Sequence, residues 1–240
     1  MDLVEALAVD GIVCVVGAGG KKTTLYELAG RVERAVVTAT VRIPIFDEQV
    51  ARVVVTDDPF DAVEATTAWP VGVVSERERP DRYAGFDPDQ IDPLAGTDAG
   101  AVLVKADGAR TRWLKAPDEH EPRIPAGADT VLPVASARVV GKPLDEDRVH
   151  RPALVADLLD KAVGDELTAE DVATVLASER GGLKDIPRDA TVVAVVNMAD
   201  DAERTGIAFE IGEAALARTD RIDRVAITKM DEGRLVGVLE

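Results

Sequence analysis

Residues 12–24, Ile-Val-Cys-Val-Val-Gly-Ala-Gly-Gly-Lys-Lys-Thr-Thr (IVCVVGAGGKKTT), decide how the 240-residue chain reads. An unbroken apolar run rich in β-branched residues is the pattern of a strand buried on both faces, as in parallel sheets. Beyond the glycines, Leu25, Leu28, Ala29 and Val32 recur at i, i+3, i+4 and i+7, which is helical spacing. A strand, a glycine loop and a helix in that order hold an anion, because loop N–H groups and the helix N-terminus can face the same point. The expectation is a phosphate cradle built from Gly17, Ala18, Gly19, Gly20, Lys21, Lys22, Thr23 and Thr24.

The usual phosphate loop, G-x-x-x-x-G-K-[ST], fits in neither possible register. With Lys21 as the phosphate lysine, Gly20 precedes it, but Val15 falls where the first glycine belongs and Lys22 where a hydroxyl belongs. With Lys22 in that role Thr23 follows suitably, but Lys21 displaces the glycine. A shortened loop is still sound, with either ammonium reaching outer phosphates and Thr23 or Thr24 offering a hydroxyl to Mg²⁺. A dinucleotide site is a poorer match: its third glycine would be Lys22, and the second strand ends in Thr38-Ala39-Thr40 without the ribose-binding acid.

Other strand ends carry further candidates. AVLVKADGAR (101–110) ends its apolar run at Asp107, where phosphate-loop proteins place an acid for Mg²⁺ or its water, although Asp-Gly is also a turn dipeptide. VVAVVNMAD (192–200) places Asn197 and Asp200 as in the guanine-reading N-K-x-D element, with Met198 in place of lysine; Asp200 with Glu203 reads equally well as a helix N-cap pair. His120 and His150 lie in polar, proline-bounded loops with no metal-ligand spacing between them, and residue chemistry leaves them unassigned.

Acidic residues outnumber basic ones 45 to 28, for a net charge of -17. That charge argues against nucleic acid or anionic membrane as a partner, and with only eight lysines it resembles the solvated surface of a salt-adapted protein. The lone Cys14, inside the first apolar run, allows no internal disulfide. No apolar run is long enough to span a membrane and the first residues lack a basic signal-peptide start, so a cytoplasmic location is expected.

Strands are predicted near 11–16, 34–39, 51–56, 70–74, 100–105, 129–135, 190–196 and 222–227, and helices over 22–31, 59–68, 151–162, 169–179 and 201–218. Their alternation predicts an α/β fold, a mostly parallel sheet flanked by helices. Residues 75–98 read as an irregular connection with one short helix, and 143–183 as helical without strands. The domain expectation is a nucleotide-binding core over 1–142, a small helical insertion or cap over 143–184, and the rest of the core over 185–240.

In order along the chain, GAGGKKTT, VVTATVRI, KADGAR, LKAPDEHEPRIP, GKPLDEDRVHRP, GGLKDIP and VVNMAD resemble the selenium-dependent hydroxylase accessory protein family, YqeC. The resemblance implies a P-loop-NTPase-like nucleotide-binding fold and a role in maturing molybdenum hydroxylases, with the hydroxylase or its molybdopterin cofactor as partner. By motif match, Gly17, Gly19, Gly20 and Lys21 would cradle phosphate, with Thr23 or Thr24 near the metal. Asp107 and Arg110 match the acidic strand end, and Lys115, His120, Glu121, His150 and Arg151 fall in the family's own blocks. Lys22, Lys105 and Met198 depart from the pattern, at a usual hydroxyl, a usual acid and a lysine respectively. The function expected is that of an ATP or GTP hydrolase using Mg²⁺, with Lys21, Asp107 and Arg110 as its catalytic groups. The alternatives are an ATP-dependent ligase or kinase acting on a small acid, and a non-catalytic module whose nucleotide orders the His120 and His150 loops.

Overall fold

The apolar runs become nine strands of one sheet in the computed structural model, which describes residues 1–240. In chain order they are β1 (Ile12–Gly17), β2 (Ala35–Ala39), β3 (Arg52–Val55), β4 (Val71–Val74), β5 (Ala101–Lys105), β6 (Thr130–Ser136), β7 (Thr191–Asn197), β8 (Arg224–Lys229) and β9 (Arg234–Leu239). Their spatial order is β9-β8-β7-β6-β1-β5-β2-β4-β3. All neighbours are parallel except β9, which runs antiparallel to β8.

β1 sits in the middle because it is apolar on both faces. Val13 and Val15 pack with Leu25 and Leu28 of helix α2 (Lys21–Ala29), following the one-turn α1 (Leu3–Ala6). Ile12, Cys14 and Val16 turn the other way, against Val36, Val102 and Val104. Burial of such a side chain stabilises by about 2 kcal/mol, so a one-residue slip of β1 would be opposed on both faces. Burial also pushes the Cys14 thiol up, which leaves it an inert packing group.

α3 (Pro59–Glu64) covers β4 through Val63. Segment 143–184 provides α4 (Pro152–Leu159) and α5 (Ala169–Leu176), and α6 (Ala202–Leu216) follows β7. Val172, Val175 and Leu176 of α5 share one apolar cluster with Ile211 and Ala215 of α6 and with Val192, Ala194 and Val196 of β7. Thr168 and Asp171 start α5 by reciprocal side-chain-to-backbone bonds.

Three stretches depart from the sequence expectation. Residues 75–98 contain a hairpin, Glu76–Arg79 with Arg82–Ala84, joined by Ile43–Pro44 into a small second sheet, before the one-turn helix Pro88–Ile91. Its strands are charged at nearly every position, so period-2 alternation is invisible; Tyr83, buried against Phe46, anchors it. Segment 143–183 is not strand-free, since Val149–His150 pairs in parallel with Leu114–Lys115. The last strand, β9, was absent from the expectation and is only half-buried along its length.

Candidate functional site

β1 lies where the sheet reverses its winding, with β5 on one side and β6 on the other, and ligands of open α/β sheets bind outside the carboxyl ends at such a point. The loop leaving β1 is held close to β6. A Cβ on Gly17 (φ +87°) would lie 2.3 Å from the Val134 carbonyl oxygen, and one on Gly19 (φ +96°) 2.7 Å from the Ser136 nitrogen. Only glycine allows both this backbone and this approach. The Ala18 N–H is spent on Val134 O at 2.8 Å, and helical bonding starts with Thr24 N–H to Gly20 O at 2.9 Å. The five N–H groups between them, Gly19 to Thr23, donate to no acceptor in the protein.

Asn197 supports the loop from below. Its Nδ2 donates to Gly19 O at 2.9 Å, while its Oδ1 accepts from the Thr228 hydroxyl at 3.1 Å and the Met230 N–H at 3.0 Å. Both ends of the amide are thus occupied within the protein. Asp200 pairs with Arg138, and its Oδ1 is buried without a hydrogen bond. The cap of α6 is one residue further on than the sequence suggests: Asp201, not Asp200, accepts from the Arg204 N–H at 2.8 Å. Asp200 is instead held back toward Arg138 in the turn before the helix.

The two adjacent lysines differ sharply. Lys21 is buried, and its ammonium folds back to donate to Gly17 O and to pair with Asp107. Lys22 is half-buried, has no acidic partner and lines a cleft. Asp107 Oδ2 also accepts the Gly17 N–H at 2.8 Å and meets Lys115 Nζ at 2.9 Å. Burial alone would raise the Asp107 carboxyl, but Lys21 and Lys115 outweigh it and hold it below the usual range.

Lys115 carries the network onward, to Glu121 at 2.7 Å and to Gly108 O at 2.6 Å. Glu121 accepts the Gly108 N–H at 2.9 Å and Arg151 at 2.7 Å, and Arg151 also pairs with Asp118. Despite burial, these partners take the Glu121 carboxyl down to about 2. The structure therefore joins Lys21, Asp107, Lys115, Glu121 and Arg151 into one chain of charges beneath the loop. The histidines stand apart: His120 is exposed, and the half-buried His150 is lowered to about 4 by burial and by Arg151 and Lys115, which keeps it neutral.

Above the loop opens a cleft of about 560 Å³. Ala18, Gly19, Gly20, Lys21, Lys22 and Thr23 form one wall; the other charged lining groups are Arg42, Arg79, Arg82, Lys105, Arg110 and Arg112. No acidic residue lines it, in a chain with 45 acids. Lys22, Lys105, Arg79, Arg110 and Arg112 have no carboxylate within 4.0 Å, whereas most other cations of the chain are paired. Arg110 and Thr111 both take left-handed backbone (φ 46° and 61°), a strained conformation of the kind retained at binding loops. Thr24 turns inward, its hydroxyl on Gly20 O at 3.2 Å, leaving Thr23 as the hydroxyl beside the cleft.

Sequence reasoning had not picked out Arg42, Arg79, Arg82, Arg112 or Lys105 as cleft residues. The available signal was clustering of arginine in ERERPDR (76–82) and GARTR (108–112) within so acidic a chain.

Lys105 donates to Arg42 O at 2.8 Å, and burial above all, with Lys21 nearby, lowers it from 10.5 to about 7. Between those values the unfolded chain binds more protons than the folded one, so stability should rise with pH across that window. Urea midpoints measured from neutral to alkaline pH are expected to climb more steeply for the wild type than for Lys105→Met. Parallel slopes would show that Lys105 keeps its ordinary affinity for the proton.

The family described as YqeC protein matches residues 13–153, which span the loop, Asp107, Lys115, Glu121 and Arg151. The chain belongs to the YqeC family. It is also 29% identical over 199 residues to the uncharacterized protein YqeC of Escherichia coli (strain K12), covering 80% of this chain and 77% of that one. No helix is long and apolar enough to cross a membrane.

Proposed function

We propose that this YqeC protein binds the polyphosphate of ATP or GTP at the 17–23 loop, and hydrolyses it in the cytoplasm to support maturation of a selenium-dependent molybdenum hydroxylase. The observation that carries the binding half is the run of five unpaired N–H groups beside a cleft whose charged lining is entirely basic. Unpaired donors and cations gathered on one cleft are complementary to an anion, and consecutive N–H groups at a helix start suit phosphate oxygens.

In this reading the backbone of 19–23 takes the phosphate oxygens, and Lys21 moves from Gly17 O onto them. Asp107 stays charged against Lys115, and Arg110 meets charge that builds on the transferring group. A Mg²⁺ ion would supply charge neutralisation on the phosphates, with the Thr23 hydroxyl beside the cleft as a protein ligand. Asp107 would join it only once Lys21 has left, because both its oxygens already face ammonium groups. No acid or neutral histidine lines the cleft to activate water, so the geometry supports binding more strongly than hydrolysis. With the Asn197 amide engaged by Gly19, Thr228 and Met230 and with Asp200 tied to Arg138, neither base is favoured. The surplus of cations favours, as a second reading, transfer to a small acid.

The test is equilibrium binding of labelled ATP and GTP with Mg²⁺, followed by phosphate release. Saturable binding of either at micromolar concentration is expected. No binding of either to folded protein would reject the site, and release only in the presence of a small carboxylic acid would select the transfer reading.

A further inference from the structure

The cleft holds more positive charge than one nucleotide tail uses. Phosphate-loop sites cradle the phosphates with backbone N–H groups and one lysine, and the loop wall here supplies those with Lys21 and Lys22. Other parts of the chain bring more cations to the same cleft. Arg79 and Arg82 are paired across the tip of the charged hairpin, and Ile43–Pro44 fixes that hairpin to the sheet through Pro44 against Arg82 and Ile43 against Tyr83. Arg112 comes from the strained loop after β5, and its only side-chain bond is a long 3.5 Å one to Arg110 O.

Neither Arg79 nor Arg112 has a carboxylate within 4.0 Å, and Arg82 has only its neighbour Asp81 at 3.3 Å. Other arginines about the hairpin are used differently: Arg42, just before Ile43, is bidentate on Glu78 (2.6 Å for the Nε bond) and Arg77 lies over the Tyr83 ring. Carboxylates are therefore close to the hairpin, yet Arg79 in the cleft has none within 4.0 Å. Two guanidinium groups without a carboxylate and a third held only by its own neighbour line one cleft, an arrangement that an anion would stabilise. A guanidinium fork matches a tetrahedral phosphate's oxygens better than a point charge does.

We infer that Arg79, Arg82 and Arg112 form a second anion subsite in the same cleft as the glycine loop, which receives the phosphate monoester group of a small co-substrate while nucleotide occupies the loop. This rests on the nucleotide reading for the first ligand and adds the class of the second. It makes the cleft a two-substrate site, with one anion on the glycine loop and one at the three arginines.

Inorganic phosphate is the probe, titrated by calorimetry into protein saturated with a non-hydrolysable ATP analogue, with Arg79→Ala/Arg82→Ala and Arg112→Ala compared with wild type. Phosphate should bind the saturated wild type, and each variant should weaken it by about tenfold or more while shifting analogue affinity by about threefold or less. Thermal melts confirm that the exposed hairpin substitutions leave the fold intact. The subsite is overturned if phosphate does not bind the saturated protein, or if the variants weaken analogue and phosphate alike, for then these arginines serve the nucleotide tail. Should the analogue fail to bind wild type, the nucleotide reading falls by itself. Phosphate binding to the free protein that the hairpin variant abolishes would still sustain the subsite, and its persistence in that variant would end it.

Discussion

Lys115→Met is expected to cost the fold about 3 kcal/mol, the low end of what a buried charge loses when one partner is removed. Lys115 is 3% exposed and its ammonium touches Asp107, Glu121 and Gly108 O, so nothing in solvent can replace it. Methionine keeps the length of the side chain and removes only the charge. Asp107 retains Lys21, and Glu121 retains Arg151, which is why the loss stays below that of an isolated buried carboxylate. Urea unfolding measures it, and the double variant with Glu121→Gln should lose less than the sum of the two single ones, as neighbours in one network do. A Lys115→Met protein as stable as wild type would mean that these charges are solvated in practice.

The same network sets an acid limit. Asp107 and Glu121 both lie below their usual range, so the stability they confer is fully present above the unfolded carboxylate values and is lost as pH falls below them, that of Glu121 toward about 2. The neutral His150 adds to this from about pH 6.5 downward, since the unfolded imidazole takes up its proton first.

Lys21→Ala should weaken nucleotide binding about 100-fold, the worth of two charge-assisted hydrogen bonds. Its measurement is titration of a fluorescent nucleotide analogue with Mg²⁺. Because Lys21 also neutralises Asp107, the change could act through the fold, and a second variant separates the two effects. Lys21→Ala/Asp107→Asn removes both charges of the pair, should melt closer to wild type than Lys21→Ala does, and should still bind nucleotide poorly. Recovery of affinity in the double variant would show that Lys21 acts by neutralising Asp107 and not by touching phosphate. Lys22→Ala, which breaks no ion pair, should cost less than Lys21→Ala, and the opposite order would assign the phosphate role to Lys22.

What the sequence disclosed follows from where the chain is apolar. β1, β5, β6 and β7 are buried on both faces, so they read as continuous Val and Ile runs, and the residues at their ends could be named from the sequence. Asp107 was legible for that reason. Its partner Lys115 was named only through family resemblance, because the bond between them spans loops whose path no periodicity encodes. The hairpin was hidden, since ERER alternates nothing and its single deep anchor, Tyr83, packs on Phe46 and bonds Asp47, 36 or more residues away. The lysine register could not be settled from spacing, as it depends on where the helix begins: at Lys21, with Gly20 (φ +131°) just before it.

Asn197 has a consequence for biosynthesis. Its amide ties Gly19, 178 positions earlier, to Thr228 and Met230 more than 30 positions later. Chains leave the ribosome N-terminal end first and fold as domains do. The first strand and its glycines emerge early, but the clamp beneath them closes only when nearly all of the polypeptide has been made. On the nucleotide reading, a nascent chain lacks the support beneath its glycine loop until late in synthesis, and truncation near the C-terminus should weaken the cradle while leaving the residues that form it untouched.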